Sequence, residues 1–290
     1  MAETRVWFIT GAGRGMGVDF ARTALAAGNA VVATGRDASA VADAIRDADD
    51  LLAVSLDVTR RDDAEAAALA AVDRFGRIDV LVNNAGVSHK GYFEEMTPEQ
   101  VDRQLAVNLV GPMHVTRAVL PVMRAQRSGH IISISSGAGL IGFEFSSVYA
   151  AAKAGLEGWM SALHAEVEPF GIATTVVNPG FFRTELISEK SMVYADASIE
   201  DYDERRRAQE AWWEGQAGRQ PGDPAKLAQA LLRITDEQPP PRRFIAGADV
   251  IALAERKADE LRAQSDAYRD LSTSMSYDDI ASRPTDPSGP

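Results

Sequence analysis

Tyr149 and Lys153 stand four residues apart in SVYAAAKAGLEGWM, a stretch read as helical, so the two side chains share one helix face. An ammonium beside a phenol stabilises the phenolate. An ordinary tyrosine pKa of ~10, lowered by a few units, would make Tyr149 an acid/base usable near neutrality. A second chemistry is written near the amino terminus, where TGAGRGMG follows the apolar run RVWFIT. Glycines at 11, 15 and 17 let the backbone turn sharply and approach a pyrophosphate, whose charge the following helix N-terminus favours. Each feature alone has an ordinary structural explanation, a tight strand-to-helix turn for the glycines and an interfacial tyrosine beside a solvated lysine for the pair. Together they point to dinucleotide chemistry with a tyrosine proton donor.

Those residues need a frame, and the chain order supplies one. Seven short apolar, β-branched runs (RVWFIT, AVVAT, LLAVSLD, DVLVNN, HIISIS, ATTVVN and RRFIAG) are separated by helix-length segments. Unbroken apolar strands with long crossovers are the mark of a parallel sheet covered on both sides. The expected fold is a doubly wound, Rossmann-type α/β sheet of about seven parallel strands with helices on both faces. Thr97-Pro98-Glu99-Gln100 reads as a capping box with proline at the first helical position, Thr59 to Asp62 as a weaker one, and Gly28, Gly76 and Gly171 as helix ends. Residues 1–272 read as a single dinucleotide-binding catalytic domain. Within it, the polar, aromatic-dotted segment 184–220 reads as a lid and residues 249–272 as an extra helix, and 273–290 reads as a disordered tail.

The glycines follow G-x-x-x-G-x-G, and here the chain resembles the short-chain dehydrogenase/reductase superfamily, in its compact single-domain branch. NNAG at 83–86 ends the fourth strand, Asn108 lies in the next helix, and ISISS ends at Ser136. Tyr149-x-x-x-Lys153 comes thirteen residues later, and NPGFFRT closes the pattern at 178–184. The resemblance implies an oxidoreductase that interconverts a ketone or aldehyde and its alcohol. Tyr149 would exchange the proton with the substrate oxygen, and Ser136 would hold that oxygen. Lys153 would grip the nicotinamide ribose and lower the Tyr149 pKa, and Asn108 would anchor a water through its backbone. The resemblance also lays the cofactor along Gly11, Arg14, Gly15, Met16 and Gly17, along Asp57 and Val58, along Asn84, Ala85 and Gly86, and along Pro179, Gly180 and Thr184. Ser136 is favoured over Ser135 by strand alternation as well as family spacing. Asn83 reads as structural and His89 as a solvated loop residue. Ala152 replaces a serine common in the family, which bears on local packing and not on the catalytic roles.

At the end of the second strand, members that use NAD place an aspartate where this chain has Gly35; Arg36 follows, and Arg14 lies in the glycine loop, with Asp37 a nearby opposing charge. Two guanidiniums could flank a 2′-phosphate, so the expected cofactor is NADP, with NAD the alternative. A non-catalytic dinucleotide sensor would keep the glycine loop without the acid/base set, and a Rossmann methyltransferase would have no use for it.

The 290 residues carry 30 Lys+Arg against 42 Asp+Glu, a formal charge of −12, which repels nucleic acid and anionic membranes. With no cysteine, thiolate nucleophiles and Cys-based zinc sites are excluded, and the four histidines (89, 114, 130 and 164) form no helical metal pair. No apolar run approaches a membrane span, and the expectation is a soluble, cytoplasmic protein acting on a small carbonyl or alcohol. Apolar residues of the helices at 98–127 and 148–170 (Val115, Val119, Val122, Met123, Trp159, Met160 and Leu163) suggest a homodimer, with a homotetramer as the alternative.

Overall fold

The computed structural model describes residues 4–46, 48–184 and 192–277. In chain order it contains β1 (Val6–Ile9), α1 (Met16–Ala26), β2 (Ala30–Gly35), α2 (Ala38–Ile45), β3 (Leu51–Ser55), α3 (Arg61–Phe75), β4 (Val80–Asn83) and β5 (His89–Lys90). There follow α4 (Pro98–Leu105), α5 (Gly111–Gln126), β6 (Gly129–Ile134), α6 (Ser147–Val167), β7 (Ile172–Pro179) and β8 (Val193–Tyr194). The chain continues through α7 (Asp203–Gln216), α8 (Pro224–Asp236), β9 (Arg243–Ala246), α9 (Ala248–Ala267) and α10 (Arg269–Thr273). The seven runs read from the sequence form one parallel sheet in the order β3-β2-β1-β4-β6-β7-β9. A small parallel pair, β5 with β8, was not anticipated.

Each strand is apolar on both faces because each face has its own helical layer. One core joins Phe8, Leu81 and Ile131 to the alanine face of α3, to Val115, Val119 and Met123 of α5, and to Leu156, Met160 and Leu163 of α6. The other joins Trp7, Ile9 and Ile132 to Phe20 of α1, Val41 of α2 and Leu227 and Leu231 of α8. The sheet order reverses between β1 and β4, and at such a point helices leave in opposite directions and open a crevice beyond the carboxyl ends of the strands. The glycine turn after β1 and Asn84, Ala85 and Gly86 after β4 lie there.

Local signals mostly behave as their chemistry requires. Thr97 and Gln100 cap each other's backbone at the start of α4, and Gly28, Gly76 and Gly171 take left-handed φ values of +81°, +75° and +72° where helices end. The weaker box at Thr59 does not form. Its hydroxyl donates to Asp57 Oδ1 at 2.7 Å, and α3 starts at Arg61 without a side-chain cap.

Two expectations are corrected. Val115, Val119, Met123, Met160 and Leu163 are buried in this chain's own core, because the broad faces of α5 and α6 lie flat on the sheet, and of the residues expected at an interface only Val122 and Trp159 are partly exposed. The helical stretch Pro98–Gln126, continuous through a π turn at Ala106–Val110, is long and apolar enough by length and composition to cross a membrane. Val115, Val119 and Met123 of that stretch are buried in the core.

The polar segment after β7 is a built flap over residues 192–220, centred on α7; residues 185–191 of the expected lid lie outside the described residues. The fully buried Glu95 pairs with Arg206 of α7, Tyr202 stacks on Tyr92 at 4.5 Å, and Glu144 pairs with Arg205. The stripe expected along the last helix meets the body only at its start. Val250 is buried, whereas Leu261, Tyr268 and Leu271 are exposed. Of the expected tail, 278–290 lie outside the described residues.

His130 on β6 is buried, and its Nε2 lies 2.7 Å from Thr175 Oγ1, which itself donates to the Pro241 carbonyl at 2.5 Å. Thr175 Oγ1 therefore accepts from His130 Nε2–H, which fixes a proton on Nε2. Burial, with Arg5 adding repulsion, lowers the His130 pKa to about 4. A histidine that binds its proton more readily when unfolded supplies stability that is complete above pH ~6.5 and is lost as pH falls toward 4, on the order of 3 kcal/mol in all. His130→Gln keeps the donor and loses the titration. Thermal unfolding at pH 7 and pH 4.5 is expected to give a smaller difference for this variant than for the wild type.

Candidate active site

Ser135 and Ser136 leave the end of β6 on opposite sides, as alternation requires. Ser135 Oγ donates to Glu157 Oε1 at 2.7 Å. Ser136 Oγ accepts from Ala138 N at 3.1 Å, and Ser136 lines the same cleft as Tyr149. Tyr149 sits one turn into α6, with the Lys153 ammonium 5.7 Å from its ring centre. Lys153 Nζ donates to the Ile134 carbonyl at 2.8 Å, leaving two of its three protons for the groove.

The electrostatics differ from the expectation that Lys153 depresses the tyrosine. Burial raises the Tyr149 pKa above its ordinary value, and the hydrogen bond with Ser136 is what opposes the rise. Lys153 is itself lowered by burial to about 8, against a pull upward from Glu157. At neutral pH Tyr149 therefore holds its proton.

The expected cofactor residues line one groove, from Gly11, Arg14, Gly15, Met16 and Arg36 past Asp57, Val58, Asn84, Ala85 and Gly86 to Asn108, Tyr149, Lys153 and Thr184. Gly11 takes φ +66°, and a Cβ there would lie 2.8 Å from Ala85 Cα. Gly15, the N-cap of α1 at φ +57°, provides no side-chain cap, and of the first-turn N–H groups Val18 N donates to Gly15 O at 3.1 Å, so an anion would meet those of Met16 and Gly17. Gly17 packs against Gly11 and Asn84. Asn84 Nδ2 bonds the Thr10 and Gly11 carbonyls at 2.9 and 3.1 Å, tying the two loops together. Such a cradle fits a dinucleotide pyrophosphate. Pro179 and Gly180 border an adjoining cleft and not this groove.

Asn108 lies in the π turn. Its Nδ2 donates to Val87 O and Gln104 O at 2.9 and 3.0 Å, and its Oδ1 accepts from Val87 N at 3.2 Å. With the side chain spent on holding the loop after NNAG, any relay through this residue falls to its backbone, as the resemblance implied. His89 is half-buried and does not sit in a solvated loop. It belongs to β5, with Nδ1 3.3 Å from Gln100 O.

Three residues escaped the sequence reading. Arg103 lines the groove and, with Arg36, helps lower the Asp57 pKa; burial opposes the fall, and the Thr59 hydrogen bonds are its main cause. Glu157, four residues beyond Lys153, is buried and accepts from Ser135 and from Asn178 Nδ2 at 2.6 Å, while its Oε2 pairs with Arg243 at 2.6 Å. Lys90 is 4% exposed, and its ammonium lies 3.6 Å from the Trp213 ring centre. A second, mainly apolar cleft of about 710 Å³ meets the groove at Tyr149, with Ser136, Lys90, Phe181, Trp212 and Trp213 in its walls.

Residues 5–193 match the model of a family described as short chain dehydrogenase. A short-chain dehydrogenase from Streptomyces avermitilis is 36% identical, with a TM-score of 0.86 over 95% of this chain and 100% of that one. A short-chain oxidoreductase of metagenomic origin, solved in complex with NADP, is 35% identical over 61% of this chain and 82% of its own, with a TM-score of 0.57. A short chain dehydrogenase/reductase from Burkholderia phymatum, in complex with NAD, shares the fold at 24% identity, with a TM-score of 0.76 over 90% of this chain and 95% of that one. A sheet that reverses at the glycine turn, a serine and a tyrosine in one cleft wall and a lysine one turn on are thus set in a chain that belongs to the short-chain dehydrogenase family of oxidoreductases.

Proposed function

We propose that the protein interconverts a ketone or aldehyde and the corresponding alcohol, using NADP(H) in preference to NAD(H). The observation that carries this reading is the position of Tyr149, which stands where the glycine-cradled groove opens into the apolar cleft. A molecule in the cleft and a dinucleotide in the groove would meet at its phenol. The bound nicotinamide supplies or accepts the hydride. In reduction the substrate oxygen becomes alkoxide-like, far more basic than a phenolate, so the Tyr149 phenol gives its proton readily even with a raised pKa. Ser136 donates a second hydrogen bond to that oxygen and fixes its place. Lys153 offers its two free donors to the ribose hydroxyls.

The preference for the 2′-phosphate rests on the end of β2. An acid at position 35 has no room, since a Cβ on Gly35 would lie 2.8 Å from Val41 Cγ2. The Asp37 carboxylate is occupied as the N-cap of α2, accepting from Ser39 N and Ala40 N at 2.9 and 3.2 Å. Arg14 and Arg36 flank the same stretch of groove. Calorimetric titration is expected to show NADPH binding at least tenfold tighter than NADH, about 1.4 kcal/mol, with Arg36→Ala removing most of the difference. Equal or tighter binding of NADH would reverse the assignment.

A spectrophotometric screen of ketones and secondary alcohols with both cofactors tests the activity. With a substrate in hand, Tyr149→Phe is expected to bind cofactor within a few-fold of the wild type while kcat falls by about 10²–10⁴. Near-normal turnover would remove the acid/base assignment, and tight cofactor binding with no turnover of any carbonyl by the wild type would favour a dinucleotide sensor.

A further inference from the structure

Lys90 is a desolvated cation in the wall of the apolar cleft. Strand β5 fixes its backbone, pairing it with Tyr194 of β8, and the Lys90 carbonyl accepts from Ala195 N at 2.8 Å. Its side chain has two kinds of company. Nζ donates to Ser146 Oγ at 2.9 Å, and it faces the rings of Trp213 at 3.6 Å and Tyr149 at 5.4 Å. An ammonium removed from water needs an opposite charge, and one hydroxyl with an indole face is incomplete compensation.

Among the described residues no carboxylate lies within ion-pair distance of Lys90. The acids of the cleft wall are committed elsewhere. Glu144, before α6, accepts from Tyr92 and Gln209 and pairs with Arg205. Asp249 of α9 accepts from Phe181 N at 2.9 Å. Glu210 and Glu214 of α7 do not line the cleft, and after burial they add to the raised pKa of Tyr194. Glu185 and Glu189 lie outside the described residues. Two of the three ammonium protons have no acceptor in the described chain, and the cleft is where an acceptor would come from.

We propose that the substrate carries an anionic group, a carboxylate in the simplest case, which pairs with Lys90 while Ser136 and Tyr149 hold the carbonyl oxygen a few bonds away. The rest of such a substrate is apolar or aromatic, to match Phe181, Trp212 and Trp213. This deepens the carbonyl-reductase reading and rests on it. Burial alone lowers the Lys90 pKa to about 7, so the cation is present below that pH and fades above it, and a bound anion favours the charged form.

The test compares 3-benzoylpropanoate and 4-benzoylbutanoate with their methyl esters. The wild type is expected to give a kcat/KM at least tenfold higher for the acids, expressed mainly in KM, and Lys90→Met should bring the acid-to-ester ratio close to one. In the wild type that ratio should fall as pH rises from 6 to 8.5. Ionisation of Tyr149 and Lys153 acts on acid and ester alike and cancels in the ratio. Lys90→Arg keeps the charge and is expected to keep a preference for the acids.

Calorimetry of 3-benzoylpropanoate with the protein alone provides a readout independent of turnover, with at least tenfold weaker binding expected for Lys90→Met. Esters used as well as acids by the wild type, or a Lys90→Met variant whose acid-to-ester ratio is unchanged, would overturn the proposal and leave the carbonyl-reductase reading standing. Failure of that reading has a different signature: esters and acids alike would give no oxidation of reduced cofactor, while calorimetry would still report whether Lys90 binds the carboxylate.

Discussion

A single buried carboxylate sets the geometry of the active centre. Glu157 is 8% exposed and takes hydrogen bonds from Ser135 at the end of β6, from Asn178 on β7 and from Arg243 on β9. One side chain of α6 thus ties the helix to three neighbouring strands. Because Ser135 is drawn down to Glu157, the next residue must point the other way, and Ser136 meets Tyr149. The same carboxylate lies one turn from Lys153 and keeps that buried ammonium more basic than desolvation alone would leave it. The pair costs desolvation energy, which the hydrogen bonds and Arg243 offset, and removing one partner would leave an uncompensated buried charge.

The remainder of the site divides between rigid and assembled parts. The glycine turn, the NNAG loop and Asn108 are held by backbone-directed bonds within the sheet crevice. The cleft is assembled from a distance, by a flap whose α7 reaches back to Glu95, Glu144 and Tyr92. Its aromatic residues close one side of the space in front of Tyr149, a water-poor setting in which hydrogen bonds to a developing charge are strong. That setting also pushes the tyrosine pKa up and the lysine values down.

Much of this was legible in the sequence, for reasons that differ by element. The seven strands were visible because strands covered on both faces must be apolar throughout, and the glycine loop, Ser136, Tyr149 and Lys153 because their spacing is local. What stayed hidden depends on partners far along the chain. Glu157 has the look of a solvated helix residue until Asn178 and Arg243 are brought to it, and Lys90 that of a loop charge until Trp213 folds over it. The apolar residues of α5 and α6 suggested an interface because sequence alone gives a helix's apolar surface but not the width of sheet that covers it. The Tyr149–Lys153 spacing was read correctly as proximity. The net direction of the Tyr149 shift was not, since burial enters only with the fold.

Central to the site is Tyr149 as a protonated acid at neutral pH, held so by burial against the opposing influence of Ser136. Ultraviolet difference titration of the wild type against Tyr149→Phe, followed at the tyrosinate band, isolates this one ionisation. The predicted result is a Tyr149-specific step above the ordinary tyrosine value of ~10. A step near neutrality would contradict the account and restore Lys153 as the dominant influence on the phenol.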